Sequence, residues 1–409
     1  GGFSNKGDEA MMLTIQREFT ARLPGVNWLL RVSRRALEEA HSHGLLAYVP
    51  SGGGLRRASR LASQYAVNKA VRRAIRLDVT AAETVMDAAP IDGVLDFSGF
   101  NYSDEWGVRC AQRGLVWADY CHKQGKPHLC LPQAWGPFRK ADVAGMTRRL
   151  CEYSSVVYAR DRVSLSHLRE LLGHEDGAVR LAPDIAFLFR GENPIAGRRA
   201  LEALGVDPTN SPIVGLTPNM RVYERCSGVG AGNEYIRMMV KIAEHCIRTW
   251  GTFVVLLPHE LSVQDTPRRD DRFLCALIRA GVSYPDRCSM LGTYISASLL
   301  KSIEGQLDLM IGSRFHSCVF ALSAGVPAVA LGWAHKYAEL MELVGLGRDT
   351  LMHTQFDEKN VMEVLDTAWK QRGESAATIQ GRLPEIRNSV TLLFDEVADV
   401  LRQYHASTN

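Results

Sequence analysis

Ser313, Arg314 and His316 stand where a short apolar run ending at Gly312 meets a segment whose small and apolar residues recur at helical spacing from Phe315 to Leu322. Gly325 and Pro327 stop that helix before a second apolar run at 328–331, so the stretch reads as strand, tight turn, helix, strand. The first turn of a helix offers unpaired N–H groups and the positive end of the dipole. An arginine beside it adds a two-pronged grip on carboxylate or phosphate, so the pattern suits an acidic ligand. Taken alone, Arg314 reads equally as a surface cation and His316 as a hydrogen-bonded helix residue. Neighbouring strand ends change that balance. Asn219 and Arg221 follow the strand expected at 213–216, His259 and Glu260 the one at 252–257, and His335 and Lys336, with Trp333 and Tyr337, the one at 328–331. Polar groups at the carboxyl ends of several strands of one sheet mark an α/β active site. The plainer alternatives pair Arg221 with Glu224, let His259 end a strand and leave Lys336 in solvent.

The elements that must hold these groups alternate. Strands are expected at 27–32, 45–49, 93–98 and 128–131 and near 156, with helices at 34–41, 105–124 and 163–172, the last capped by Asp161. Residues 3–15 read as a turn entering a helix, with Asn5 and Asp8 as caps and Gly7 permitting close backbone approach, like a first βα loop whose strand lies upstream. After a polar stretch rich in Pro and Gly at 191–212 the alternation resumes, with strands at 213–216, 252–257, 307–311 and 328–331 and helices at 232–250, 272–281 and 296–304. A long helix is expected at 384–404. The expected fold class is therefore α/β, with two Rossmann-like domains in a GT-B-like arrangement and the active-site cleft between them; a single extended doubly wound sheet is the alternative. The expected domains are 1–190, a linker at 191–212, 213–383 on the donor side, and the closing helix 384–409.

Composition narrows the function. A chain of 409 residues with a net charge of only +3 is too long for one ordinary core, shows no strong bias toward nucleic acid, and has no apolar run of the length that crosses a bilayer. The charge is uneven: residues 1–80 hold thirteen Lys or Arg against six Asp or Glu. Residues 55–76 place Arg56, Arg57, Arg60, Lys69, Arg72, Arg73 and Arg76 among apolar residues at helical spacing, which is either a solvated helix face or a contact for an anionic membrane surface or a diphosphate-linked acceptor. Nine scattered cysteines without a Cys-x-x-Cys pair argue against a disulfide framework and make the cytoplasm, with peripheral membrane contact as an option, the expected location. Asp270 and Asp271 read as an exposed helix start, and no Walker loop, zincin motif or Asp-x-Asp appears. No metal and no cofactor is expected.

Several short motifs converge on one family. Asn5, Gly7, Asp8, Glu9 and Ala10; Gln133, Gly136, Pro137 and Phe138; Ala159, Arg160, Asp161 and Ser164; Pro183 and Asp184; and Ser313, Arg314 and His316 followed by Phe320, Gly325 and Pro327 resemble, in order and spacing, the polysaccharide pyruvyl transferase family. Asp-Phe-Ser-Gly at 96–99 departs from the Gly-Gly usual at that strand end. The resemblance implies a GT-B-like fold, phosphoenolpyruvate as co-substrate, and a pyruvate ketal bridging two hydroxyls of a saccharide acceptor, free or lipid-linked. On that reading Arg314, Arg221, Ser313 and Lys336 bind the donor, and His316 protonates its methylene carbon. The bound anionic groups then help to load that acid. Asn5, Gly7, Asp8, Asn219, His259, Glu260 and His335 complete the candidate substrate contacts. The competing readings are a nucleotide-sugar glycosyltransferase on the same fold, for which no ribose-binding Glu pair is evident, and a non-catalytic binder of anionic glycans.

Overall fold

The structure is a computed structural model and describes residues 3–31, 37–48, 91–173, 179–262 and 270–408. The basic stretch 55–76 lies outside the described residues. Its elements are α1 (Lys6–Arg22), β1 (Leu29–Arg31), α2 (Leu37–Ser42), β2 (Leu46–Tyr48), β3 (Val94–Asp96), α3 (Val108–Lys123), β4 (His128–Gln133), α4 (Ala141–Glu152), β5 (Val156–Ala159), α5 (Arg162–Leu172) and β6 (Val179–Leu181). There follow α6 (Pro194–Ala203), β7 (Ile213–Thr217), α7 (Met220–Tyr223), α8 (Glu234–Trp250), β8 (Phe253–Leu256), α9 (Asp271–Gly281), β9 (Cys288–Met290), α10 (Ala297–Glu304), β10 (Leu309–Gly312), α11 (Phe315–Ser323), β11 (Ala328–Gly332), α12 (Lys336–Leu343), β12 (Thr350–Met352) and α13 (Glu358–Thr408).

The chain divides into two compact units, and neither is continuous in sequence. One holds residues 16–184 and 391–409; the other holds residues 3–15 and 185–390. The opening segment expected in the first domain therefore belongs with the second. Two features fix it there: Lys6 N donates to His259 O at 2.9 Å, and Asn5 bridges Glu260. Nor is 191–212 a bare linker. Asn193 caps α6 through Ala196 N at 2.9 Å with Pro194 in the first turn, and Gly197 lets α6 lie against the backbone of Ser302 in α10. The last helix begins at Glu358, well before the expected start, and passes through Pro384.

In the first unit β3, β4, β5 and β6 form a parallel sheet in that order, while β1 and β2 pair separately, also in parallel. Asp161 caps α5 through Ser164 N at 2.6 Å as expected, and the neighbouring Arg160 makes a buried 2.8 Å ion pair with Asp184.

The second unit is a six-stranded parallel sheet ordered β12-β11-β10-β7-β8-β9. Its strands are continuous apolar runs because helices cover both faces: Val214, Leu216, Val254, Leu256, Ile311 and Val329 are buried in one core with Ile236 and Met239 of α8. From β7 the chain builds outward through β8 and β9, then returns to lay β10, β11 and β12 on the other side. The order reverses between β7 and β10, and in open α/β sheets the crevice at such a point takes the ligand.

Candidate functional site

The switch point is tied together by backbone. Gly312 and Thr217 are register partners, and Ser313 N donates to Thr217 O at 2.9 Å. Ser313 O accepts from Asn219 Nδ2 and from Tyr337 Oη, both at 2.7 Å, so the loops after β7, β10 and β11 meet at one carbonyl. Asn219 also caps the short α7, its Oδ1 accepting from Arg221 N at 2.9 Å. Gly312 permits the approach of α11, since a Cβ there would lie 2.7 Å from Cys318 Sγ. Ser313 and Asn219, expected as ligand contacts, are buried members of this frame.

Arg314 sits at the strand-to-helix turn, as its position in the sequence requires, but its guanidinium is already engaged. Nη2 lies 2.5 Å from Asp271 Oδ1 and 2.8 Å from Glu260 Oε2. Asp271 was expected at an exposed helix start; it is fully buried, and its Oδ2 accepts from Glu260 N at 2.9 Å. The correction has a simple cause. Asp271 opens α9 on the neighbouring strand connection, and a buried guanidinium next to that helix start needs counter-charge. Burial acts to lower the pKa of Arg314, but Asp271 and Glu260 outweigh it and hold the group charged. Burial raises Asp271 above the ordinary carboxylate range despite Arg314. Two carboxylates against one guanidinium leave Arg314 as a clamp between β8, α9 and β10 rather than a surplus of positive charge. Its Nε is buried with no protein partner.

His316, in the first turn of α11, packs on Gly7 in the first turn of α1. A Cβ on Gly7 would fall onto the imidazole ring, with even Cε1 only 2.6 Å away. Asn5 Oδ1 accepts from Gly7 N at 3.0 Å and Asp8 N at 3.4 Å, so Asn5 works as the cap of α1. Lys6 is wholly buried. Its Nζ pairs with Glu9 Oε2 at 2.7 Å and lies 4.0 Å from the Tyr294 ring centroid, and Glu9 Oε1 accepts from Ala297 N at 2.8 Å, closing the start of α10. Sequence reading took Glu9 only as part of a motif and passed over Lys6, although the i, i+3 spacing of the pair was visible.

His259 is buried rather than open to substrate, and its Nε2 makes a short hydrogen bond with Glu304. Burial drives the His259 pKa well below its ordinary value, helped by His316, Arg314 and Lys6, and drives Glu304 well above its own against Lys301. The pair is therefore a neutral acid on a neutral imidazole. Nothing in the sequence marked Glu304, the last residue of an amphipathic helix.

Cations with aromatic support gather at the β7 and β11 ends. Lys336, only 9% exposed, holds Nζ 4.8 Å from the Trp333 ring centroid and 5.5 Å from that of Phe315, whose ring stands edge-on to His316. Arg225 lies 4.7 Å from Trp333 and donates to Arg221 O at 2.6 Å. Arg221 is half-buried and pairs with Glu224 at 3.0 Å, as the plainer alternative has it. His335 is half-buried at the N-cap position of α12, and Asp8 is half-buried in the first turn of α1. Trp333 was expected as an aromatic platform beside Lys336, whereas Arg225 carried no motif that would have singled it out.

A sequence model of the polysaccharide pyruvyl transferases matches residues 5–335, a span that includes the Gly7, Arg314 and His316 positions just described. The chain belongs to the polysaccharide pyruvyl transferase family. It is 25% identical over 222 residues to the amylovoran biosynthesis protein AmsJ of Erwinia amylovora, covering 54% of this chain and 52% of that one, so the chain spans about half the length of the curated relative it matches. Solved structures share the fold over nearly its whole length. HepE of Anabaena, solved with UDP, superposes with a TM-score of 0.60 at 14% identity, covering 97% of this chain and 96% of that one. The UDP-GlcNAc 2-epimerase of Neisseria meningitidis, bound to UDP-GlcNAc, gives 0.61 at 10% identity with 96% and 97% covered. These likenesses establish a GT-B-like α/β fold. Among the described residues no helix is long and apolar enough to cross a membrane, and all nine cysteines are free thiols.

Proposed function

We propose that the chain transfers a pyruvyl group from phosphoenolpyruvate to two hydroxyls of a saccharide, forming a cyclic ketal and releasing phosphate. The observation that carries this reading is the position of His316: a titratable side chain at the β7/β10 switch point, in the first turn of a nine-residue helix and braced by Gly7. Phosphoenolpyruvate brings a carboxylate and a phosphate, so its site needs a net excess of cations. Arg314 is balanced by Asp271 and Glu260, so on this reading the main anchoring falls to Lys336 and Arg225 over the Trp333 ring, with Arg221 as a further cation.

His316 gives a proton to the methylene carbon, and the adjacent carbon becomes oxocarbenium-like. One sugar hydroxyl adds to it, the bond to phosphate breaks, and the second hydroxyl closes the ketal. Two hydroxyl protons are lost; they replace the proton given to carbon and the one carried off by phosphate, so His316 ends as it began. No cofactor takes part. The acceptor is a saccharide, free or lipid-linked.

Turnover in deuterium oxide must then leave deuterium in the ketal methyl group, which transfer of a sugar from a nucleotide cannot do. His316→Gln should bind phosphoenolpyruvate within a few-fold of wild type yet lose about 10²- to 10⁴-fold in turnover, the range that general-acid catalysis supplies. Calorimetric titration with phosphoenolpyruvate, UDP-sugars and GDP-sugars decides against a nucleotide-sugar enzyme if only the first binds. Binding of a nucleotide sugar with no heat from phosphoenolpyruvate refutes the proposal.

A further inference from the structure

The first unit carries a cluster that the transferase reading does not use. We propose that Asp96, His128 and Cys130 form a binding site for one zinc-class divalent cation, through a carboxylate oxygen, an imidazole nitrogen and a thiolate. Strand register brings them together. Asp96 of β3 is the register partner of Cys130 in β4, and His128 lies two residues earlier on the same face of β4. Each offers one ligand atom, and these atoms lie within 4.8 Å of one another. A tetrahedral ion with bonds of about 2.0 to 2.3 Å keeps its donors roughly 3.3 to 3.8 Å apart, so the cluster needs to contract by at most about 1.5 Å.

Cys130 Sγ lies 3.9 Å from His128 Nδ1 and 3.7 Å from Ser154 Oγ. Ser154 Oγ donates to Leu150 O at 2.7 Å, so it accepts from His128 Nδ1–H at 2.8 Å. His128 Nε2 is fully buried and has no hydrogen-bond partner among the described residues. Asp96 is oriented by hydrogen bonds: Oδ1 accepts from Ser98 N at 3.0 Å, and Oδ2 from the buried Tyr102 hydroxyl. Among the described residues no cation pairs with this carboxylate. A mixed oxygen, nitrogen and sulfur set suits zinc or cobalt over magnesium or calcium. Joining β3 to β4 beneath α3 and α4, such an ion would stabilise the unit and take no part in pyruvyl transfer.

The test is to produce the full chain in minimal medium supplied with cobalt in place of zinc. The expected result is about one equivalent of cobalt with a thiolate-to-cobalt charge-transfer band in the near ultraviolet. Cys130→Ser should abolish the band, Cys151→Ser should keep it, and Asp96→Asn should weaken cobalt binding at least tenfold. Zinc-grown wild type should melt several degrees above the same protein stripped by chelator. A cobalt content near zero, a band that survives Cys130→Ser, or equal melting with and without zinc overturns the site. The melting comparison needs no variant, so poor folding of Cys130→Ser would not protect the proposal.

Discussion

Replacing Gly7 by alanine is the most direct probe of His316, because it alters the imidazole's position without touching its chemistry. The added Cβ would lie on the ring, with Cε1 at 2.6 Å, whereas carbon contacts are comfortable only beyond about 3.5 Å, so the ring must withdraw by about 1 Å or more. Backbone cannot easily give way. Gly7 lies in the first turn of α1, held by the Asn5 cap and, through Lys6 N, by His259 O. Alanine favours a helix over glycine by about 1 kcal/mol, which offsets part of the roughly 1 to 3 kcal/mol that overpacking costs. Stability should therefore change little while catalysis falls, since misplacing a reacting group by about 1 Å can cost ~10²-fold. The assay is phosphate release from phosphoenolpyruvate with a saccharide acceptor, beside the donor dissociation constant and the melting temperature. The expected outcome is a kcat loss near 10²-fold with donor binding within a few-fold. In a His316→Gln background the same change should add almost nothing, because the two act through one group. Turnover of Gly7→Ala within threefold of wild type would refute the claim that Gly7 sets the catalytic position of His316.

Other outcomes follow from the buried charges. Asp271→Asn removes the wholly buried partner of Arg314 and should destabilise the second unit by about 3 kcal/mol, read by denaturant unfolding; an unchanged midpoint would mean Glu260 alone suffices. Lys336→Gln should raise the phosphoenolpyruvate dissociation constant at least tenfold in calorimetry, and Arg221→Gln less, because Arg221 already shares its charge with Glu224. The His259–Glu304 pair gives stability a particular pH dependence. Glu304 is raised in the folded state, so above its ordinary 4.5 the unfolded chain holds fewer protons and stability falls as pH rises. His259 is lowered, so below its ordinary 6.5 the unfolded chain holds more protons and stability falls as pH drops. The two effects cancel between those values, leaving a plateau with a decline of about 1.4 kcal/mol per pH unit on either side. Glu304→Gln should erase the alkaline decline in urea titrations across pH, and its persistence would assign that limb to another group.

Much of the site could be read before any fold was known. Strands read as unbroken apolar runs, helices as 3.6-residue repeats with caps such as Asp161, and Gly312, Gly325 and Pro327 as punctuation, all of which depend on neighbours within a few residues. The turn bearing Arg314 and His316 was legible for that reason. So was the meeting of the loops after 213–216, 252–257, 307–311 and 328–331, since parallel strands must place their carboxyl ends along one edge. Strands β6, β9 and β12 were not legible in the sequence.

What the tertiary structure decided is which charges are spent on one another. Asp271 looked like any acidic helix start, yet it is the partner of Arg314 across 43 positions of sequence. Glu304 finds His259 across 45, and Glu9 closes the start of α10 across 288. Local pattern holds no information about such pairings. A side chain's propensity depends on its own backbone, but the cost of burying its charge depends on whichever groups the fold brings within a few ångströms. The sequence by itself determined the α/β elements, the strand-end loops and the family. Only the packed chain decided that Arg314 is a clamp, that residues 3–15 complete the second unit, and that Gly7 must be a glycine because His316 fills the space where its side chain would be.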